Sequence, residues 1–282
     1  MTTYRIAKMA QKYMERDMIG KHMELPPYPE VRTQLLYSFL DEHNKRDQQL
    51  LALAVSLAQL GLDTHDFVEA SDDGETLGQA RSRQMKVLAG DYFNGLFYQL
   101  LSGADRIDVV RFVTKAICEV NHLKMSLYER LGQLKLTAEE YLEQMVAIKS
   151  KLFLSFSTFI PASYADRFPE LLRSVTRCEV LSQELERSQS GDIRHGFAYL
   201  YMLQSASLDD REKALHTDKA GLKALLHKYK IYGAISDMLQ TQLGLIKQLI
   251  APFESVWLKA EISRMLEPFV LTITVPKVAE EI

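Results

Sequence analysis

Apolar residues recur at intervals of three and four along most of this chain, which is the spacing of one face of an α-helix. The pattern is clearest from Met85 to Leu100 and from Val109 to Leu123. The segment from Leu50 to Leu62 is apolar on nearly every side, which predicts a buried helix. We therefore expect a predominantly helical protein.

Several helix ends are marked by residues with capping or helix-breaking roles. Thr137 followed by Glu140 has the spacing of a capping box and predicts a helix over about 138–160. Three prolines within residues 26–29 end the first helix and precede the second. Only the stretch 269–275 is strand-like. The remaining predicted helices cover residues 3–20, 30–43, 164–188, 193–205, 219–230, 232–250 and 253–267.

Together these segments predict an all-α fold, a single bundle of about ten helices joined by short links. We expect one domain over residues 1–282, with an N-terminal helical segment (1–45), a core (46–190) and C-terminal helices (191–282). The 13 glycines and 8 prolines are too few for an all-β chain, which would need a tight turn about every ten residues.

Composition excludes several classes of protein. Apolar residues make up 47% of the 282 residues, which is too high for a disordered chain. The formal net charge of -3 leaves no basic excess for a nucleic-acid-binding surface. The two cysteines, Cys118 and Cys178, fit neither a disulfide scaffold nor a CxxC metal site. With no secretory signal and no apolar run of the about 20 residues that span a membrane, we expect a cytoplasmic protein without a transmembrane segment.

Acidic residues cluster at the end of the buried Leu-rich helix. Asp63, Asp66 and Glu69 fall at intervals of three and share one helix face. Carboxylates stacked in this way can hold Mg²⁺, and Mg²⁺ can bridge to the oxygens of a diphosphate. They also repel one another at a helix C-terminus, where the helix dipole disfavours negative charge. The alternative is a solvated helix end without a ligand.

Two further segments carry candidate chemistry. Gly90 and Asp91 interrupt an apolar helical pattern. Because glycine costs about 1 kcal/mol in a helix relative to alanine, we expect Gly90 to allow the close approach of another helix. Lys149, on the helix predicted over 138–160, is either a point charge for a phosphate or a solvated surface residue.

In this order and at these distances, the three segments resemble the trans-type polyprenyl diphosphate synthases. Residues 64–69 stand where the first aspartate-rich motif of those enzymes would be. Residues 88–92 match their alanine-glycine-aspartate segment, and Lys149-Ser150 stands at their lysine-threonine pair. The resemblance implies an isoprenoid-synthase-like helical bundle.

The chain departs from these enzymes at the residues that carry their chemistry. His65 replaces the first aspartate of the motif and Glu69 the third. Acidic residues within 72–75 replace the arginine pair that would bind the homoallylic diphosphate, so the charge there has the wrong sign. Residues 173–184, where a second aspartate-rich motif should lie, hold no aspartate pair. Because ionising an allylic diphosphate needs Mg²⁺ ions held between two carboxylate sets, we expect this chain to be inactive alone.

Residues 50–160 resemble more specifically the component I family of bacterial heptaprenyl diphosphate synthases. The resemblance implies a non-catalytic, regulatory subunit that forms a heterodimer with a catalytic component II. Component II would carry both aspartate-rich motifs and the Mg²⁺, and this chain would bind no metal or cofactor of its own. The complex would extend farnesyl diphosphate with isopentenyl diphosphate to the C35 side chain of menaquinone.

The resemblance also assigns roles to individual residues. Lys149 would contact diphosphate, and the degenerate first motif would consist of Asp63, His65, Asp66 and Glu69.

The synthases pair largely through the helices that follow the first motif, which here would cover about 84–101 and 105–131. Five apolar residues on the first of these helices are large enough to face both a core and a partner. The alternative, that all five belong to the core, stays open. The predicted partner interface consists of Tyr92, Phe93, Leu96, Phe97 and Tyr98.

Three other functions are compatible with the sequence. A His-Asp pair at residues 65–66, with His43 or His122, could belong to an all-α metal phosphohydrolase. The three clustered carboxylates could serve a self-sufficient Mg²⁺-dependent prenyltransferase of terpenoid type, which would need a second set such as Glu179 with Glu184. The third is a helical interaction protein unrelated to isoprenoids.

Overall fold

The computed structural model of the chain describes residues 4–15, 19, 23–40, 45–68, 76–133, 136–191 and 193–274. Throughout these ranges the regular structure is helical and contains no β-strand. The predicted all-α fold is therefore confirmed. None of the described helices is both long enough and apolar enough to cross a lipid bilayer.

The described part of the chain forms α-helices and two short 3₁₀ turns. Two 3₁₀ turns, Ser157–Phe159 and Ala162–Tyr164, precede the helix that begins at Arg167. Numbered in chain order, the α-helices are α1 (Tyr4–Met14), α2 (Glu30–Phe39), α3 (Lys45–Asp66), α4 (Leu77–Ser102), α5 (Ile107–Gly132), α6 (Ala138–Leu154), α7 (Arg167–Ser190), α8 (Phe197–Ser205), α9 (Leu208–His216), α10 (Lys219–Lys228), α11 (Ile231–Ile250), α12 (Val256–Met265) and α13 (Glu267–Thr274).

The chain divides into two compact units. The first comprises Met1–Cys118 and Leu152–Phe168, and the second comprises Glu119–Lys151 and Pro169–Ile282. The predicted first motif and the Gly90-Asp91 pair lie in the first unit. Lys149 lies in the second unit.

The core of the first unit forms where α3 and α4 pack together and against α1. Leu57 and Leu60 of α3 are fully buried there, as is Phe93 of α4. Every residue from Leu51 to Thr64 is buried, which confirms the helix predicted to be covered on all sides. The first motif therefore stands at the end of a helix that the core holds in place.

Arg106 fixes the turn between α4 and α5 in the first unit. Its guanidinium donates hydrogen bonds to Asp108 in the first turn of α5 and to Asp47 near the start of α3. It also lies 5.4 Å from the ring centroid of Phe159, a cation–π distance. The hydrogen bonds to these carboxylates raise the pKa of Arg106 above its ordinary value. This ion pairing joins the beginning of α3 to the end of α4.

In the second unit, α8 packs against α10 and α11, and α11 packs against α13. Asp210 of α9 is buried and accepts hydrogen bonds from Lys228 and from the hydroxyl of Tyr229. The hydrogen bonds from these two residues lower the pKa of Asp210 to about 2. These bonds tie α9 to the C-terminal end of α10.

Helix α9 was not among the predicted helices. Its sequence has too few apolar residues for a periodic pattern, and its buried positions are Asp210 and Ala214. The sequence signal for this helix is its N-cap residue: Ser207 accepts a hydrogen bond from the Asp210 N–H. Two acidic residues in the first turn and His216 in the last also suit the helix dipole.

The strand prediction over 269–275 is wrong. Residues up to Thr274 belong to helix α13, and Val275 lies outside the described residues. Pro268 occupies the first turn of that helix, where its missing N–H costs no intrahelical hydrogen bond. Phe269 is buried. The described residues offer no second strand with which this segment could pair.

Candidate functional site

The first motif lies in the last turn of α3 and the residues just after it. The helix closes with hydrogen bonds from the Phe67 N–H to Thr64 O and from the Val68 N–H to His65 O. Asp66 is exposed. Glu69 lies outside the described residues, as do the acidic residues of 72–75.

Asp63 points into the protein and is almost completely buried. Its Oδ1 accepts a hydrogen bond from Nε2 of Gln59 at 2.9 Å, and Gln59 is buried as well. The neighbouring Thr64 hydroxyl donates to Leu60 O at 2.6 Å. Asp63 is therefore held by the polar side of α3 and does not face solvent beside Asp66.

His65 packs directly on α4. Its imidazole lies against Gly90, because a Cβ atom at position 90 would be only 2.6 Å from Cε1 of His65. Nε2 of His65 lies 3.4 Å from Oδ1 of Asp91, and the two side chains are 33% and 67% exposed. The expectation that Gly90 allows a close helix approach is confirmed.

A second glycine supports the same helix crossing from the side of α3. A Cβ atom at position 61 would lie 2.8 Å from Oδ1 of Asn94 and 3.0 Å from the carbonyl oxygen of Gly90. Gly61 and Gly90 thus both lie at tight contacts between α3 and α4. Side chains at either position would push the two helices apart.

The residues at this helix end do not suit Mg²⁺. Mg²⁺ takes oxygen ligands in octahedral geometry, whereas position 65 offers an imidazole nitrogen. Asp63 is buried and hydrogen-bonded elsewhere. Within the ranges that the structure describes, no group of three or more His, Cys, Asp or Glu side chains is placed to hold a metal ion. His43, a candidate ligand of the phosphohydrolase alternative, lies outside the described residues.

Lys149 lies on α6 within the second unit and is half-buried. The adjacent Ser150 is buried, and its hydroxyl donates to Val146 O at 2.7 Å. The helix begins at the predicted capping box, where the Glu140 N–H donates to Thr137 Oγ1 and the Thr137 N–H donates to Glu140 Oε2. The role of Lys149 as a diphosphate contact stays a prediction.

Residues 173–184, where a second aspartate-rich motif would be expected, form the middle of α7. Arg177 on this helix pairs with both Glu139 and Glu143 of α6. Burial raises the pKa of the Cys178 thiol to about 12, so it remains protonated and unreactive. Neither of these two side chains is a carboxylate of the kind that an aspartate-rich motif would supply.

Glu184 has a structural role. It is buried, and its carboxylate accepts hydrogen bonds from the Ala198 N–H at 3.0 Å and from Arg187 at 2.9 Å. Burial raises the pKa of Glu184 above its ordinary value, and the nearby Arg187 partly opposes that rise. Because Glu184 holds the N-terminal turn of α8, it is not free to join Glu179 in a second metal-binding set.

Most of the residues predicted for the partner interface are buried within the chain itself. Phe93, Leu96 and Phe97 are buried in the first unit, and Tyr92 is half-buried against its core. These four residues face inward because they belong to the side of α4 that packs on α3. Tyr98 alone is well exposed, at 54%.

A second set of residues on α4 forms a row on the exposed surface of the helix. Its residues repeat at intervals of four and three, and all are exposed. The sequence analysis did not single out this row, because the apolar run 92–98 is the more prominent pattern on this helix. The α4 outer row consists of Leu77, Arg81, Gln84, Leu88, Asp91, Gly95 and Tyr98.

Residues 17–230 match the family described as heptaprenyl diphosphate synthase (HEPPP synthase) subunit 1. A segment of 78 residues, 28% of this chain, is 42% identical to heptaprenyl diphosphate synthase component 1 of Geobacillus stearothermophilus. That match spans 33% of the length of the relative.

The fold is similar to those of solved polyprenyl synthases. A heptaprenyl diphosphate synthase from Staphylococcus aureus superposes with a TM-score of 0.70 and 12% identity, over 96% of each chain. A polyprenyl synthase from Caulobacter crescentus, complexed with calcium and isoprenyl diphosphate, superposes with a TM-score of 0.68 and 16% identity, over 95% of this chain and 93% of that one. At such identities the likeness establishes the isoprenoid-synthase-like fold alone. Because the family match extends over most of the sequence, the chain belongs to the heptaprenyl diphosphate synthase subunit 1 family.

Proposed function

We propose that this chain is the non-catalytic, regulatory subunit of a two-component heptaprenyl diphosphate synthase. The observation that supports the proposal most directly is the arrangement of His65 and Asp63 in the first motif, within a fold that is otherwise that of a synthase. His65 packs on Gly90 beside Asp91, and Asp63 is buried on Gln59. Within its described residues, the chain keeps the helical framework of a synthase but groups no carboxylates that could hold Mg²⁺ for the ionisation of a diphosphate.

The chemistry then belongs to the partner. The catalytic component II would bind Mg²⁺, farnesyl diphosphate and isopentenyl diphosphate, and the complex would make the C35 chain used for menaquinone. In α7 the position of Arg177 and the capping role of Glu184 support this division, because neither residue can serve a second metal set. This chain would act by completing the dimer and shaping the space in which the product grows.

The α4 outer row is the surface that we assign to component II. Its intervals of four and three are those with which two helices pack side by side. Only Arg81 and Asp91 carry charge among its seven residues, whereas a helix face that meets only water is normally rich in charge. Apart from its chain neighbours and the nearby backbone of α4, no described atom lies within 4 Å of where a Cβ atom would stand at Gly95, so a partner helix can approach closely there. Leu88 and Tyr98 flank that glycine and are 60% and 54% exposed.

Replacing Leu88 by glutamate is expected to weaken binding to component II at least about tenfold, because a charge would enter the centre of an apolar contact. Tyr98→Ala should also weaken binding by removing an aromatic anchor. Titration calorimetry of each purified variant with component II measures the change.

Leu208→Glu is the matched control, since Leu208 is equally apolar, still more exposed and located on α9 of the other unit. It should bind component II like the unmodified chain. Unchanged affinity of both α4 variants would show that the partner binds elsewhere.

A further inference from the structure

At the end of α3, an imidazole stands beside a carboxylate of the next helix. The ring of His65 lies against Gly90, with Nε2 3.4 Å from a carboxylate oxygen of Asp91. The two side chains come from different helices, α3 and α4. Since both remain partly exposed, ions in solution can reach them.

A carboxylate at position 65 would be unfavourable in this place without a cation. It would stand beside Asp91, and like charges at this distance repel. It would also lie in the last turn of α3, where the helix dipole disfavours negative charge and favours a cation. A divalent metal ion would relieve both effects by bridging the carboxylates.

We propose that His65 takes the place of such a metal ion and acts as a metal-independent clasp between α3 and α4. The imidazole places Nε2 3.4 Å from a carboxylate oxygen of Asp91, adds no negative charge at the C-terminal end of α3, and fills the space over Gly90. The clasp keeps the two helices together at the crossing of Gly61 and Gly90 in the absence of a divalent cation. This inference concerns the isolated chain and does not depend on the proposed function.

Thermal unfolding of the full chain with EDTA and with excess Mg²⁺ or Mn²⁺ tests the clasp. The melting temperature of the unmodified chain should be the same under all three conditions. His65→Asp should melt lower in EDTA by about 2–4 °C, the shift expected for the loss of about 1 kcal/mol in a chain of this size. Mg²⁺ or Mn²⁺ should recover that loss in His65→Asp, because a bound ion stabilises the folded state.

Two companion measurements keep the test decisive. His65→Gln should melt lower without responding to any metal ion, since it removes the imidazole and adds no carboxylate. Titration with Mn²⁺, followed by the loss of its free electron-paramagnetic-resonance signal, should show binding to His65→Asp and none to the unmodified chain. The proposal is overturned if the unmodified chain binds Mn²⁺ or gains melting temperature from Mg²⁺. It is equally overturned if His65→Asp and His65→Gln both melt like the unmodified chain in EDTA.

Discussion

Replacing Phe93 by alanine is expected to lower the free energy of unfolding of the isolated chain by about 3–5 kcal/mol. Phe93 is fully buried among the side chains that join α3 to α4, including Leu57 and Leu60. Its ring also packs beside that of Tyr92, with 5.5 Å between the ring centroids. The substitution would remove this contact area and leave a cavity that a helix crossing built on Gly61 and Gly90 cannot collapse to fill. Urea unfolding followed by circular dichroism measures the loss.

Tyr98→Ala is the appropriate control because Tyr98 lies on the same helix but faces solvent. It should change the free energy of unfolding by less than about 1 kcal/mol. The pair of variants also separates the two interpretations that the sequence left open. If Phe93→Ala were as mild as Tyr98→Ala, Phe93 would not be a core residue and the inward orientation of α4 would be contradicted.

Replacing Glu184 by alanine is expected to destabilise the chain by about 3 kcal/mol. The carboxylate is buried, holds the Ala198 N–H in the first turn of α8, and pairs with Arg187. Its removal would leave the buried Ala198 N–H group without its acceptor and would take one acceptor from Arg187, and an unsatisfied buried donor is costly in a protein interior. The same urea unfolding experiment applies.

Two further variants on α7 serve as controls for Glu184→Ala. Glu186→Ala removes an exposed carboxylate two residues away and should be nearly neutral. Glu184→Gln keeps the hydrogen-bond acceptor, so it should lose less than Glu184→Ala. Unchanged stability of Glu184→Ala, in contrast, would contradict the structural role of Glu184. This carboxylate would then again be a candidate metal ligand, as the self-sufficient prenyltransferase requires.

Local sequence signals predicted the framework well. The Thr137–Glu140 capping box opens α6 at the expected residue, and the uniformly apolar run within α3 is buried as predicted. Gly90 was correctly interpreted as a place of close helix approach. Each of these features depends on a few residues that are close together in the sequence, so the sequence alone is enough to predict it.

Other features depend on which side of a helix meets the rest of the protein. The stretch from Tyr92 to Tyr98 is apolar around most of its circumference, so periodicity alone could not separate Phe93 from Tyr98. Packing against α3 determines which of the two faces the core: Phe93 is buried and Tyr98 is exposed. For the same reason the sequence identified His65 as a departure from the synthase motif without indicating that it would pack on Gly90.

At two places the secondary structure differs from what local residue preferences predict. The β-branched residues of 269–275 favour a strand, yet the described part of the segment joins α13 because no second strand is present among the described residues. Helix α6 ends at Leu154, earlier than predicted, because tighter bonds such as that from the Ser155 N–H to Leu152 O replace the helical pattern. Tertiary context outweighed local preference at both places.

The most direct test of the central claim is prenyl transfer from radiolabelled isopentenyl diphosphate to farnesyl diphosphate in the presence of Mg²⁺. The assay would compare this chain alone, the catalytic component II alone, and the two mixed. Our account predicts no product from this chain alone and efficient synthesis of one long-chain product only in the mixture. Turnover by this chain alone, or an equal yield of the same product from component II without it, would contradict the assignment of a non-catalytic subunit required for synthesis.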